Sequence, residues 1–407
     1  MAWACANGAP RSWVRRVIQW APSSSFTILT RFCAACGSRS LTVTGTVNNT
    51  PPDSFSLSAY DYELPEELIA QRAVEPRDSS RLLVVHRERG VWEHRKFLDL
   101  PEYLDAHDLI VANNSRVMKA RLLGHRLREE KGQWIPGGKT EFVLLEELRP
   151  GVWEGMFHAA AKHRPGVRFE VPTPDGKGLR GVLIRGASGS SHGTVVAEFD
   201  RDPVESGAGE LPIPHYIKRA AVSQDEADYQ TIYAKLTGSA AAPTAGLHFT
   251  DCVLQKLREK NVGWAEVTLH VGLGTFRPVK AEDIRTHHMH EERFEIAPNT
   301  AEKINQKKTQ GGRILAVGTT SVRTLESAWQ RQSLAAGPGR TSLFIYPDGP
   351  RGFHVVNRLL TNFHLPRSTL LMLVSAFGGR DLIMRAYRDA VEERYRFFSY
   401  GDSMLIL

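Results

Sequence analysis

Apolar positions along the chain fall into two textures. Short, unbroken apolar runs at Leu82–His86 (LLVVH), Leu109–Ala112 (LIVA), Trp264–Val271 and Ile314–Gly318 (ILAVG) end in polar turns. Such runs predict buried strands. Helices are expected over Asp225–Leu236, over Asp251–Lys260, and from Thr319 onward, with Val322, Leu325 and Ala328 facing inward. Leu359–Phe377 reads as a strand, a polar turn and a buried helix. Ile383, Ala386, Tyr387, Ala390 and Val391 recur at helical spacing in the last helix, and a strand closes the chain. Pro65 followed by two acids predicts a helix opening in Asp61–Leu68. Between Leu122 and Pro214 helical spacing vanishes. TEFVLLEEL, VWEGMF, VRFEV, LRGVLI and TVVAEF follow one another between Gly- and Pro-rich links, the pattern of a small antiparallel sandwich or barrel.

The expected fold class is therefore α/β. A mixed-sheet main domain, residues 56–121 and 214–407, is interrupted by an inserted all-β antiparallel barrel at 122–213, and residues 1–55 stand apart as an extension. A length of 407 residues suits two or three domains. The net charge of +7 suggests nucleic acid, but its location weakens that inference. The first 52 residues carry five arginines and no lysine or acid, which leaves 47 basic and 45 acidic residues in the rest. A nearly balanced body argues against a protein that only binds RNA, since non-specific affinity comes from phosphate neutralisation. The Arg- and Ser-rich segment has the composition of a transit peptide, of a disordered extension, or of sequence read from an early start. Its Cys33 and Cys36 lack a second ligand pair, and Cys252 is the one cysteine of the body, so no disulfide framework is expected. No run of 18 apolar residues appears.

Chemistry concentrates in Gly238–Thr250, GSAAAPTAGLHFT. Small residues bring backbone rather than side chain to whatever surface they line. They suit a tight packing loop or a close-fitting ligand, with Thr244, Gly246 and His248 as its distinctive members. Two later runs of the same character favour the ligand: His270, Gly272, Gly274 and Thr275 after one strand, and Thr319, Thr320 and Arg323 after another. A helix start there offers free N–H groups to a carboxylate or phosphate. Asn113, Ser115 and Arg116, then Asn362 and His364, form polar clusters at further strand ends, and Tyr400 and Asp402 occupy a turn before the last strand. Phe397 and Phe398 read as core rather than as base-stacking platforms. GGKT (137–140) is no phosphate loop, because Gln133 stands where that motif has glycine. Arg277 likewise spoils a dinucleotide fingerprint, and His287, His288, His290 and Glu291 match no zinc spacing.

PTAGLHF, LHVGLGTFRPV, VGTTSVRTLES, LLTNFHLPRSTLLMLVSAF and RYRFFSYGDSMLI occur in that order, and from about Tyr60 to its end the chain resembles the S-adenosylmethionine:tRNA ribosyltransferase-isomerase family of queuosine biosynthesis. The resemblance implies an α/β domain interrupted by a β-barrel. It implies transfer and isomerisation of the ribosyl part of S-adenosylmethionine onto 7-aminomethyl-7-deazaguanine in the wobble position of tRNA, giving epoxyqueuosine-tRNA, adenine and methionine. S-adenosylmethionine is then a co-substrate, and neither a metal nor a redox cofactor is expected. A bacterial pathway implies a cytoplasmic enzyme, taken as a monomer, for which a transit peptide makes little sense. Asn114 departs from the family pattern, which has an acid there. His248 and His270 are the expected acid/base pair, and the Thr319–Arg323 helix start with Asn362 and His364 is expected to hold the methionine carboxylate or a tRNA phosphate. The alternatives are an S-adenosylmethionine-dependent RNA methyltransferase and a non-catalytic RNA-binding protein.

Overall fold

The computed structural model describes residues 53–159, 163–186, 193–272, 279 and 281–407, and the backbone of three earlier strands. Those strands, Arg16–Trp20, Ser25–Thr30 and Thr42–Thr46, pair antiparallel in sequence order. They belong to one unit of the chain, and Phe55–Leu407 forms another.

In the larger unit nine strands make a mixed sheet. Its order is Gly337–Thr341, Glu292–Ile296, Gly263–Leu269, Asp108–Asn113, Arg313–Val317, Arg358–Asn362, Ser403–Ile406, Arg81–His86 and Val91–Lys96. The four strands from Gly263–Leu269 to Arg358–Asn362 run parallel. Their carboxyl ends (Leu269, Asn113, Val317, Asn362) therefore share one edge, where ligands of open α/β sheets gather.

Side chains alternate across these strands. Leu109, Val111, Ile314, Ala316 and Leu359 enter one core; Ile110, Ala112, Leu315, Val317 and Leu360 enter the other. With both faces covered, every position is apolar, which is why LIVA and ILAV show no alternation. Ile304, Leu325, Val374 and Ile383 belong to the first core. They come from the helices Pro298–Thr309, Gly318–Ala328, Thr369–Gly378 and Arg380–Glu392. Val253 and Leu257 of the helix Asp251–Glu259 cover the second face, beside Phe97 and Leu100. At the opposite edge, buried Asp108 accepts from Arg313 Nε at 2.9 Å and Arg358 at 3.0 Å. These residues begin three adjacent strands, and their ion pairs tie the strand starts together.

The expected β-rich stretch forms a seven-stranded antiparallel sheet ordered Arg168–Val171, Leu179–Arg185, Val195–Phe199, Val152–Ala159, Gln133–Arg149, Arg121–Glu130 and Gly209–Glu210. Arg168–Val171 also pairs with Arg121–Glu130. Phe142, Phe157, Phe169 and Phe199 pack at its centre. The strand Arg121–Glu130 lies outside the apolar runs that the sequence pattern marks as strands. A register shift between His125 and Leu127 breaks its alternation.

Two helix expectations fail. Asp225–Leu236 keeps one helical turn, Asp225–Asp228. Arg77 draws off the carbonyls of Ala227 and Gln230 at 2.6 and 2.7 Å. Thr231 and Ile232 are poor helix formers, and Leu236–Ser239 then pairs with Ser115–Val117. The opening at Pro65 yields only a 3₁₀ turn, Glu66–Leu68.

Candidate active site

A cleft open to solvent lies at the carboxyl edge of the parallel strands. Segments far apart in sequence line it: Ala242–Ala245, Val271, Gly318–Thr320 and Thr361–Pro366, with Tyr216, Phe398 and Ser399 at one side. Of the expected site residues it gathers Thr244, Thr319, Thr320, Asn362 and His364. The Gly318–Ala328 helix begins here with no side-chain cap, so its first N–H groups are left for a ligand. Phe397 and Phe398 are buried, as expected. Phe398 nevertheless contributes to the wall, stacked on Tyr216 at 4.6 Å.

Three histidines surround the cleft, each in a different relation to it. His364 lines it directly. Burial pushes its imidazole down to about 3, so the ring is neutral. Thr361 Oγ1 lies 2.8 Å from His364 Nε2 and 3.3 Å from the Asn362 carbonyl; in the tautomer where Thr361 donates to that carbonyl, Nε2 carries the ring proton and Nδ1 is left as the acceptor.

His248 sits behind the wall. Burial, then the nearby Arg396 and Arg77, hold it down to about 3. It stacks on Phe97 at 5.1 Å. Asn362 Nδ2 points at the carbonyl of Phe398, 3.0 Å away, and at His248 Nε2, 3.2 Å away. A carbonyl only accepts, so the amide orientation is determined, Nε2 accepts as well, and Nδ1–H donates to Ser80 Oγ at 2.8 Å. His248 thus reaches the cleft only through Asn362.

His270 lies next to Val271, with its Nδ1 2.8 Å from Ser115 Oγ. Ser115 Oγ is 2.8 Å from Ser239 Oγ, which accepts from Val271 N–H at 2.8 Å. Running Ser239 to Ser115 to Nδ1 gives every hydroxyl proton an acceptor and places the ring proton on Nε2. Burial first, then Arg293, lowers His270, so it too is neutral. Gly238 has no room for a side chain here: a Cβ would stand 2.6 Å from the imidazole. Asn113 ties the neighbouring strands, its Oδ1 accepting from Leu269 N–H at 3.0 Å and Ser115 N–H at 3.1 Å.

A family model described as "Queuosine biosynthesis protein" matches residues 57–406. Two relatives named S-adenosylmethionine:tRNA ribosyltransferase-isomerase are 49% identical (Anaeromyxobacter sp. strain K) and 51% identical (Symbiobacterium thermophilum). Each match covers 86% of this chain and 99% of the relative. The chain belongs to the S-adenosylmethionine:tRNA ribosyltransferase-isomerase family. Members of this family are enzymes of tRNA modification. The crystal structure of the S-adenosylmethionine tRNA ribosyltransferase from Thermotoga maritima is 40% identical, with 86% of this chain and 100% of that one covered at a TM-score of 0.49.

Several residues expected at the ribosyltransferase-isomerase site make their contacts away from this cleft. Arg323 is 2% exposed. Its guanidinium pairs with Glu292 and donates to the Leu343 carbonyl at 3.1 Å, turned away from the cleft. Glu292 also accepts from Gly272 N–H at 3.2 Å, so the pair anchors the chain just beyond Val271. Asp402 accepts from the N–H groups of Arg81 and Arg396, both at 2.8 Å, fastening the final turn to a neighbouring strand. Burial raises its carboxyl nonetheless. Tyr400 donates to Asp225 at 3.0 Å, and Arg219 holds Asp225 down to about 2. Arg116 is exposed and donates to the Ala234 carbonyl at 2.7 Å. Gly246 lies against Tyr233, whose hydroxyl would stand 2.0 Å from a Cβ. Gly274 and Thr275 fall outside the described residues.

Asn114 uses both ends of its amide. It donates to Glu266 at 3.1 Å and accepts from Thr268 at 2.7 Å. An acid here would lose the donor and face a second carboxylate. Among the described residues no three His, Cys, Asp or Glu side chains gather as a metal-binding group, and no helix is long and apolar enough to cross a membrane.

Proposed function

We propose that the cleft binds S-adenosylmethionine beside the wobble 7-aminomethyl-7-deazaguanine of a tRNA, and that the enzyme transfers and isomerises the ribosyl group to give epoxyqueuosine-tRNA, adenine and methionine. One observation carries the reading: an uncapped helix start, small-residue turns and a neutral histidine meet in one cleft at the carboxyl edge of the parallel strands. Family membership supplies the reaction.

Converting the ribose to a cyclopentane requires a bond between C1′ and C5′. The sulfonium acidifies the C5′ proton, and a base must remove it. Among the described residues lining the cleft only His364 and Tyr216 titrate, and burial raises the tyrosine well above its ordinary value. We assign the proton to His364 Nδ1. This moves the role expected of His248 onto the third histidine. His270, whose Nε2 carries a proton, is assigned to hydrogen-bond the departing purine. C1′ gives up the purine and the ring oxygen and gains the aminomethyl nitrogen and C5′; the ring oxygen, still on C4′, then displaces methionine from C5′ as the epoxide closes. The helix start at Thr319 and Thr320 takes the methionine carboxylate, in line with the positive end of the helix dipole.

The seven-stranded antiparallel sheet is read as the inserted barrel, and its role as support for the anticodon stem. The working form is read as a cytoplasmic monomer. Incubation with S-adenosylmethionine labelled in its ribose and with tRNA bearing the aminomethyl base tests the reading. The label is expected in the RNA, with free adenine and methionine released in equal amounts. A labelled S-adenosylhomocysteine product would instead establish a methyltransferase, and no turnover at all would leave a binding protein.

A further inference from the structure

Among the described residues lining the cleft, one fully buried side-chain polar atom lacks a hydrogen-bond partner. Asn362 is 2% exposed, and its Nδ2 donates twice, to His248 and to the Phe398 carbonyl. Its Oδ1 is buried with no hydrogen-bond partner among the described residues. A buried amide oxygen left unpaired is costly, so such an atom is a place where a ligand donor fits. Rotation cannot relieve it. Turning the amide would set Oδ1 against the Phe398 carbonyl, acceptor against acceptor.

The position indicates which donor. Val317 pairs with Leu360 in adjacent parallel strands; the chain then turns at Gly318 into the helix, and Thr319 and Asn362 both line the cleft just beyond that pair. An uncapped helix start and an unpaired acceptor in one cleft match the carboxylate and ammonium of an α-amino acid, which are carried on one carbon.

We infer that Asn362 Oδ1 accepts from the α-ammonium of S-adenosylmethionine, while the start of the Gly318–Ala328 helix receives the carboxylate. Ser80, His248 and Phe97 are positioning residues: they hold the amide with its oxygen toward the ligand. This inference rests on the proposed use of the cleft and adds which end of the co-substrate lies there.

The test is calorimetric binding of two probes, S-adenosylmethionine and its analogue with hydrogen in place of the α-ammonium. The wild-type protein is expected to prefer S-adenosylmethionine by ten- to a hundredfold. Asn362→Leu, of similar volume, is expected to bind both with nearly equal affinity. His248→Phe keeps the stack on Phe97 and removes the acceptor that holds the amide; it is expected to reduce the preference several-fold. That variant carries the test should Asn362→Leu fail to fold. A full wild-type preference in the variants that fold would overturn the inference, although binding itself would uphold the site. If neither probe binds the wild-type protein, the use of the cleft fails first, and the inference with it.

Discussion

Arg323→Ala is expected to destabilise the protein by about 3–5 kcal/mol, read as a lowered midpoint in denaturant unfolding. The cause is the charge left behind. Glu292 is 6% exposed and would lose its guanidinium partner in a low-dielectric interior. The same guanidinium links the Gly318–Ala328 helix to the Leu343 carbonyl and, through Glu292, to Gly272 N–H. Two walls of the cleft are therefore held by one ion pair. Replacing both partners by apolar residues, Arg323→Met with Glu292→Leu, is expected to recover most of the stability, because no buried charge remains. Unchanged stability in Arg323→Ala with a raised half-saturating concentration would show instead that the arginine contacts substrate directly.

His364→Ala is expected to lower turnover by about 10²–10⁴-fold, the usual range for loss of a general base. Its pH behaviour separates it from an ordinary histidine. Because burial keeps the ring neutral down to about 3, the wild-type rate should show no acid limb near 6.5 from this group. Stability carries the opposite signature. In the unfolded chain the ring takes a proton near 6.5, whereas in the folded protein it resists until about 3. The contribution of His364 and of His248 is thus complete above about pH 6.5 and is lost as pH falls toward the folded values. The expected slope is about 1.4 kcal/mol per pH unit for each ring. Thermal unfolding between pH 6.5 and 5 should show stability falling toward this slope, less steeply in His364→Ala. Near-normal turnover in a folded His364→Ala protein would remove the base assignment.

What could be read in advance followed from local chemistry. Unbroken apolar runs such as LIVA reveal strands because burial on both faces leaves no polar position. VRFEV shows its alternation because one face meets the phenylalanine core. Asp225–Leu236 misled because its helical turn is ended from outside, by Arg77, about 150 residues earlier. Site residues divide along the same line. Thr319, Thr320, Asn362 and His364 stand at or just after the ends of strands that run parallel, so strand-end reasoning brings them to the cleft. His248 and Arg323 occupy equally suggestive motifs, yet whether a side chain enters the cleft or the core depends on partners such as Ser80, Phe97 and Glu292. No spacing rule joins those partners to the motifs. Tyr216 and Phe398 were missed as wall residues because aromatics near a turn read as core, and only their mutual stacking sets them on the cleft.

The most direct measurement is a crystal structure with S-adenosylmethionine bound. The expected density places the methionine carboxylate against the N–H groups of Thr319 and Thr320, the ammonium at Asn362 Oδ1, and the sugar within reach of His364. A co-substrate seated elsewhere, with this cleft filled only by water, would contradict the account at its root.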